Sequence, residues 1–165
     1  MIKKTLRKKF IIGSFLVFSI FLLDRISKIY VIYLDKKILG SEIFSSKFLN
    51  INLIWNEGIA FGLLSFDEKI FYNLLTFIIL IIILTIFIMA IKSEGTKQFI
   101  LLIILGGALG NFVDRIIYEA VPDFIDFHYG NFHWFIFNIA DIFISIGVIS
   151  LIIIELFDTN KKENL

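Results

Sequence analysis

A chain of 165 residues that is 58% hydrophobic, with a mean hydropathy of +0.90, is more apolar than a soluble domain, where about 45–50% is usual. A net charge of +1 gives no pull toward nucleic acid, and the absence of cysteine excludes disulfides, a thiol nucleophile, thiolate metal sites and a lipid carried on the chain's own cysteine. What remains is the membrane class, with room for about three to five spanning helices in one compact domain.

The first expected helix covers 10–34. It follows a basic start (Lys3, Lys4, Arg7, Lys8, Lys9) and stays apolar to Leu23. Asp24 and Arg25 then stand where a secretory signal would carry small residues for cleavage, so the helix is expected to be retained. In the segment 35–69 the stretch 48–55 alternates, with Leu49, Ile51, Leu53 and Trp55 set against Asn50 and Asn52. That period of two predicts a strand in a small surface sheet.

The stretch 70–91 carries no charge and is framed by Lys69 and Lys92. As a helix it reaches about 33 Å, enough to cross a hydrocarbon core of about 30 Å. Further helices are expected over 99–117 and 135–157, joined by a short segment 118–134, with a solvated tail from 158. With four spans, both ends and the 92–98 loop share one side. That side holds nine Lys and Arg and the other holds four, which places both termini in the cytoplasm. The expected fold is an all-α polytopic membrane protein, 1–165, with four transmembrane helices and a small extracytoplasmic β-sheet.

Charged groups inside membrane helices are costly and usually functional. Asp24 lies 14 residues beyond Phe10 and Asp114 lies 15 beyond Phe99, about 21–23 Å up their helices. Asp141 enters from the other side, six residues after Phe135, or about 9 Å down. Three acids from three helices are thus expected at one depth. Helical spacing adds stripes: Asp24 with Lys28; Asn111 with Asp114 and Arg115; Asn138 with Asp141 and Ser145.

Each feature also has a structural reading. Asp24 with Lys28, and Asp114 with Arg115, are first read as ion pairs that lock helices. Gly106, Gly107, Ala108 and Gly110 read as a close-packing face, since no Lys-Ser/Thr follows to make a phosphate loop. His128 and His133, five apart in an expected loop with no HExxH pattern, read as surface residues rather than metal ligands. Trp55, Trp134 and nearby tyrosines fit an aromatic belt. Asp123 and Asp141 have no cation within helical reach in their own segments, which favours function for both.

These residues fall in four motifs: DRISK at 24–28, NEGIAFG at 56–62, GGALGNFVDR at 106–115 running on into VPDFIDF at 121–127, and FNIAD at 137–141. In this order, among four spans, they resemble the lipoprotein signal peptidase (signal peptidase II) family along nearly the whole chain. The resemblance implies an aspartic endopeptidase that cleaves diacylglyceryl-modified prolipoproteins just before the lipidated cysteine. It implies Asp123 and Asp141 as the catalytic pair and Asn56, Asn111, Arg115 and Asn138 as substrate-binding residues. Asp24, Lys28 and Asp114 match architectural polar positions. Asp126, near Asp123, falls outside the implied pair, and Pro122 stands where bulky aliphatic residues are common. No metal or cofactor is implied. The expected setting is the bacterial cytoplasmic (inner) membrane, as a monomer, with the site near the outer face and membrane lipid as a partner. The rival from another class is a small ion- or proton-coupled transporter or channel, which also buries acids but favours the midplane and inverted repeats. A third is a scaffold whose acids only join helices.

Overall fold

The computed structural model describes residues 2–39, 42–58 and 69–163, with side chains from 9 to 157 within those ranges. In chain order the elements are α1 (Ile2–Lys37), β1 (Phe44–Ser45), β2 (Leu49–Asn56), α2 (Lys69–Lys92), α3 (Gly95–Tyr118), β3 (Val121–Tyr129), β4 (Phe132–Phe137) and α4 (Ile139–Glu163). Each helix contains a stretch long and apolar enough to span a membrane: Lys9–Lys37, Lys69–Lys92, Gly95–Tyr118 and Ile139–Phe157.

Helix α3 is the hub, packed against the other three helices. It buries Ile100, Leu101, Ile104, Leu105 and the glycines Gly106, Gly107 and Gly110. Helix α2 is apolar on all sides, yet it buries only Tyr72, Leu75, Ile83 and Ala90 and leaves Phe77, Ile81, Ile82, Leu84, Phe87 and Ile88 exposed. A helix with that surface is stable only where the surroundings are themselves apolar. The glycine stripe works by removing side chains at helix crossings. A Cβ on Gly107 would lie 2.6 Å from the Ala140 carbonyl oxygen of α4, and one on Gly110 would collide with the Asp24 carboxylate of α1.

The four strands form one antiparallel sheet in sequence order. The strand expected from the alternation at 48–55 is present as β2. It pairs with β3 so that Ile54 faces Asp123 and Asn56 faces Val121. Strands β3 and β4 make a hairpin turning at Gly130, whose φ of 59° is one that glycine adopts freely.

That hairpin corrects the expected fourth helix, placed at 135–157. Residues 135–137 belong to β4, and α4 starts at Ile139. Residues 135–137 continue the apolar character of the helix that follows, but they pair with β3, and Asn138 then caps the helix. Asp141 is accordingly in the first turn of α4, not about 9 Å inside it. The first helix also starts earlier than expected, at Ile2.

Gly107→Ala is expected to force α4 away from α3, because the obstacle is backbone rather than a pliable side chain. Overpacking of this kind costs about 1–3 kcal/mol. The unfolding midpoint of the detergent-solubilised protein should fall by several degrees, and an unchanged midpoint would contradict the packing described.

Candidate active site

The site is built where the end of α3, the start of α4 and the inner strands of the sheet meet. Asn138 organises it. As the residue before α4, its side-chain Oδ1 accepts the Asp141 backbone N–H at 3.1 Å, and its own backbone N–H donates to Asp141 Oδ2 at 3.1 Å. This reciprocal capping box satisfies two helix-start donors. The remaining group of Asn138, Nδ2, donates to Asp123 Oδ1 at 2.6 Å. One asparagine therefore holds both aspartates.

The other two carboxylate oxygens are held as well. Asn56 Nδ2 donates to Asp123 Oδ2 at 2.9 Å, and Asn111 Nδ2 donates to Asp141 Oδ1 at 2.8 Å. Asp123 is 4% exposed. A cavity of about 30 Å³ is lined by Asp123, Asp141, Asn56, Asn111, Arg115 and Phe135 among others. A water needs about 10–15 Å³ measured in this way, so the cavity has room for water. From Asp141 a wider groove of about 600 Å³ runs between the sheet and α4. Phe127, Trp134, Phe135, Phe137, Ile142 and Ile149 line it, so it is apolar.

Behind the cavity lies a buried ionic cluster. Lys28 has no exposed surface, and its Nζ donates to Asp24 Oδ2 at 2.8 Å, Asn111 Oδ1 at 2.7 Å and Asp114 Oδ2 at 2.7 Å. Arg25 pairs with the other oxygen of Asp114. The second oxygen of Asp24 accepts the Ala140 N–H of α4 at 2.9 Å.

A family model described as Signal peptidase (SPase) II matches residues 16–157. The chain belongs to the signal peptidase II family. It is 48% identical to the lipoprotein signal peptidase of Pelagibacter ubique (strain HTCC1062) over 157 residues, 95% of each chain. It is 39% identical to that of Anaplasma marginale (strain Florida) over 150 residues, covering 90% of this chain and 86% of that protein. A solved bacterial membrane enzyme is similar with a TM-score of 0.71 and 34% identity, covering 91% of this chain and 90% of that one. A second gives a TM-score of 0.62 and 36% identity, covering 87% and 91%. Membership makes the chain a membrane-embedded peptidase, and the transporter reading finds no support in these matches.

Within this signal peptidase II member, Asp123, Asp141, Asn56, Asn111, Asn138 and Arg115 all reach one site, although they come from four elements. The expected pairing of Asp114 with Arg115 is corrected. Asp114 pairs with Lys28 and Arg25, while Arg115 donates to the carbonyls of Asn111 at 3.2 Å and Gly58 at 3.1 Å. Arg115 thus ties α3 to the segment after β2. The rest of the NEGIAFG motif, 59–62, lies outside the described residues. Arg25 was missed as a partner of Asp114; its place inside DRISK, one residue from Asp24, was the available signal.

Burial, and after it the negative charge of Asp141, push the Asp123 carboxyl up from its ordinary 3.8 to about 6, against the Asn56 and Asn138 hydrogen bonds. The folded state therefore keeps a proton that the unfolded chain releases at lower pH. Below about pH 4 both states hold it and nothing is lost; above about 6 the full penalty, about 3 kcal/mol, is present. Removing this group by Asp123→Asn should leave the wild type losing several degrees of unfolding midpoint relative to the variant as pH rises from 4 to 7. Parallel pH curves for the two proteins would contradict it.

Proposed function

We propose that this peptidase removes signal peptides from prolipoproteins, cutting just before the diacylglyceryl-modified cysteine, with Asp123 and Asp141 as an aspartic catalytic pair. The observation that carries this reading is that both carboxyls are held by Asn138 and face one water-sized cavity. Two carboxyls so placed share a single proton more cheaply than they carry two charges.

The surroundings divide the roles. Asp123 sits on a strand, buried, with its carboxyl pushed up to about 6. Asp141 occupies the first turn of α4, beside the cavity. Asp141 takes a proton from the cavity water as that water attacks the scissile carbonyl. Asp123, protonated, polarises the carbonyl oxygen, and the pair then returns a proton to the leaving amine. The titration is a property of the pair. Asn56, Asn111 and Asn138 keep both carboxyls turned to the cavity, and Arg115 offers charge near the developing oxyanion.

The apolar groove that opens at Asp141 suits a substrate with acyl chains, since lipid tails can stay in an apolar channel while the peptide reaches the carboxyls. The cation bias between the two sides supports both termini in the cytoplasm of a bacterial inner membrane and the site near the outer face. A monomer with a single peptidase domain over 1–165 completes this reading.

Asp123→Asn and Asp141→Asn should each lower cleavage of a purified diacylglyceryl-modified prolipoprotein by at least about 10²-fold, with the proteins still folded and inserted. The same precursor without its lipid should be a poor substrate. Wild-type turnover by either variant would refute the catalytic pair, and equal cleavage of the unlipidated precursor would refute the substrate assignment.

A further inference from the structure

The outer end of the sheet carries a second polar cluster that the peptidase chemistry does not use. His128 on β3 and His133 on β4 are register partners across the hairpin, and their rings stack with centroids 5.0 Å apart. Asp126 precedes His128 by two residues on β3, and its Oδ2 lies 2.8 Å from His133 Nδ1. One carboxylate oxygen and one nitrogen from each imidazole lie within 4.8 Å of one another.

Two atoms of this cluster are buried without a hydrogen-bond partner among the described residues: Asp126 Oδ1 and His128 Nδ1. Asp126 itself is 4% exposed. An acceptor buried and left unpaired costs about 1–3 kcal/mol, a cost that a bound cation would offset. The carboxylate is also oriented from behind. Ser45 Oγ donates to Asn50 Oδ1 at 2.8 Å, which turns Asn50 Nδ2 toward Asp126 Oδ2 at 3.4 Å. Outer hydrogen bonds that fix a carboxylate in this way accompany metal ligands.

We propose that Asp126, His128 and His133 form a three-ligand site for zinc or a zinc-like divalent transition-metal ion, separate from the Asp123–Asp141 cavity. Two imidazoles with one carboxylate suit zinc, nickel or copper; calcium and magnesium prefer oxygen alone. Ligand atoms about 2.0–2.1 Å from a tetrahedral ion sit about 3.3 Å from each other. His133, whose side chain is half exposed, can rotate to close the spread and leaves a path for the ion to enter, with water in the fourth position. Residue spacing along the chain hides this site, because the hairpin register and not a helical motif brings the ligands together. The ion would clip β3 to β4, and that hairpin carries Asp123 and leads into Asn138.

The test uses the full chain without an affinity tag in lipid nanodiscs. Zinc binding is titrated by calorimetry and cobalt binding by visible absorption. One ion per chain is expected, with Asp126→Asn and His133→Ala each weakening zinc at least about tenfold. Zinc should raise the unfolding midpoint of the wild type and not that of His133→Ala. His133 is exposed enough for its replacement to leave the fold intact, and the midpoint without metal checks this. Absence of saturable binding, or binding that either substitution leaves unchanged, overturns the proposal and leaves an Asp126–His133 hydrogen bond only.

Discussion

A lysine with no exposed surface inside a helix bundle is stable only if every N–H of its ammonium finds an acceptor. Lys28 meets that condition with Asp24, Asn111 and Asp114. Arg25 adds the second positive charge, so two acids face two bases and the cluster is neutral. Taking one partner from a buried pair costs about 3–5 kcal/mol, because the survivor is left charged and unpaired. The bundle is therefore fixed in one arrangement: α1 and α3 are joined through Lys28, and α4 joins them where Ala140 donates to Asp24. The glycines at 107 and 110 allow the close approach that these short hydrogen bonds need.

The same constraint reaches the site. An asparagine amide has one acceptor end and one donor end. Lys28 occupies the oxygen of Asn111, so the amide nitrogen must point the other way, to Asp141. Lys28 acts as a positioning residue at one remove. Asn138 does the complementary work: its capping box fixes Asp141, and its remaining N–H fixes Asp123. The two carboxyls are thus set by groups with no freedom to turn. Desolvation of Asp123 is tolerated because the cluster and the sheet hold the site closed around it.

Much of this was legible in the sequence because periodicity and depth are physical properties of a chain. The charge-free run at 70–91 identified α2, and equal distances up two helices brought Asp24 and Asp114 together before any contact was known. The four motifs gathered the site residues. Spacing failed where it had to choose among neighbours. Asp114 and Arg115 are adjacent on α3, but Arg115 turns to the Gly58 carbonyl and Asp114 to α1. Sequence spacing cannot rank a residue on the same helix against one on another. The aromatic start of the expected fourth helix, 135–137, failed for a different reason. Its apolar character matches a helix in a membrane as well as a strand beside one, and only the pairing with β3 decides. The cluster of Asp126 with the two histidines depends on that same hairpin.

Lys28 positions Asp141 through Asn111. A double-mutant cycle on single-turnover cleavage, with Lys28→Met and Asn111→Leu, addresses it directly on folded, monodisperse protein. Each substitution should slow the reaction, and the pair together should slow it no more than the stronger one alone. Independent losses that multiply in the double variant, or a wild-type rate for Lys28→Met, would contradict the account.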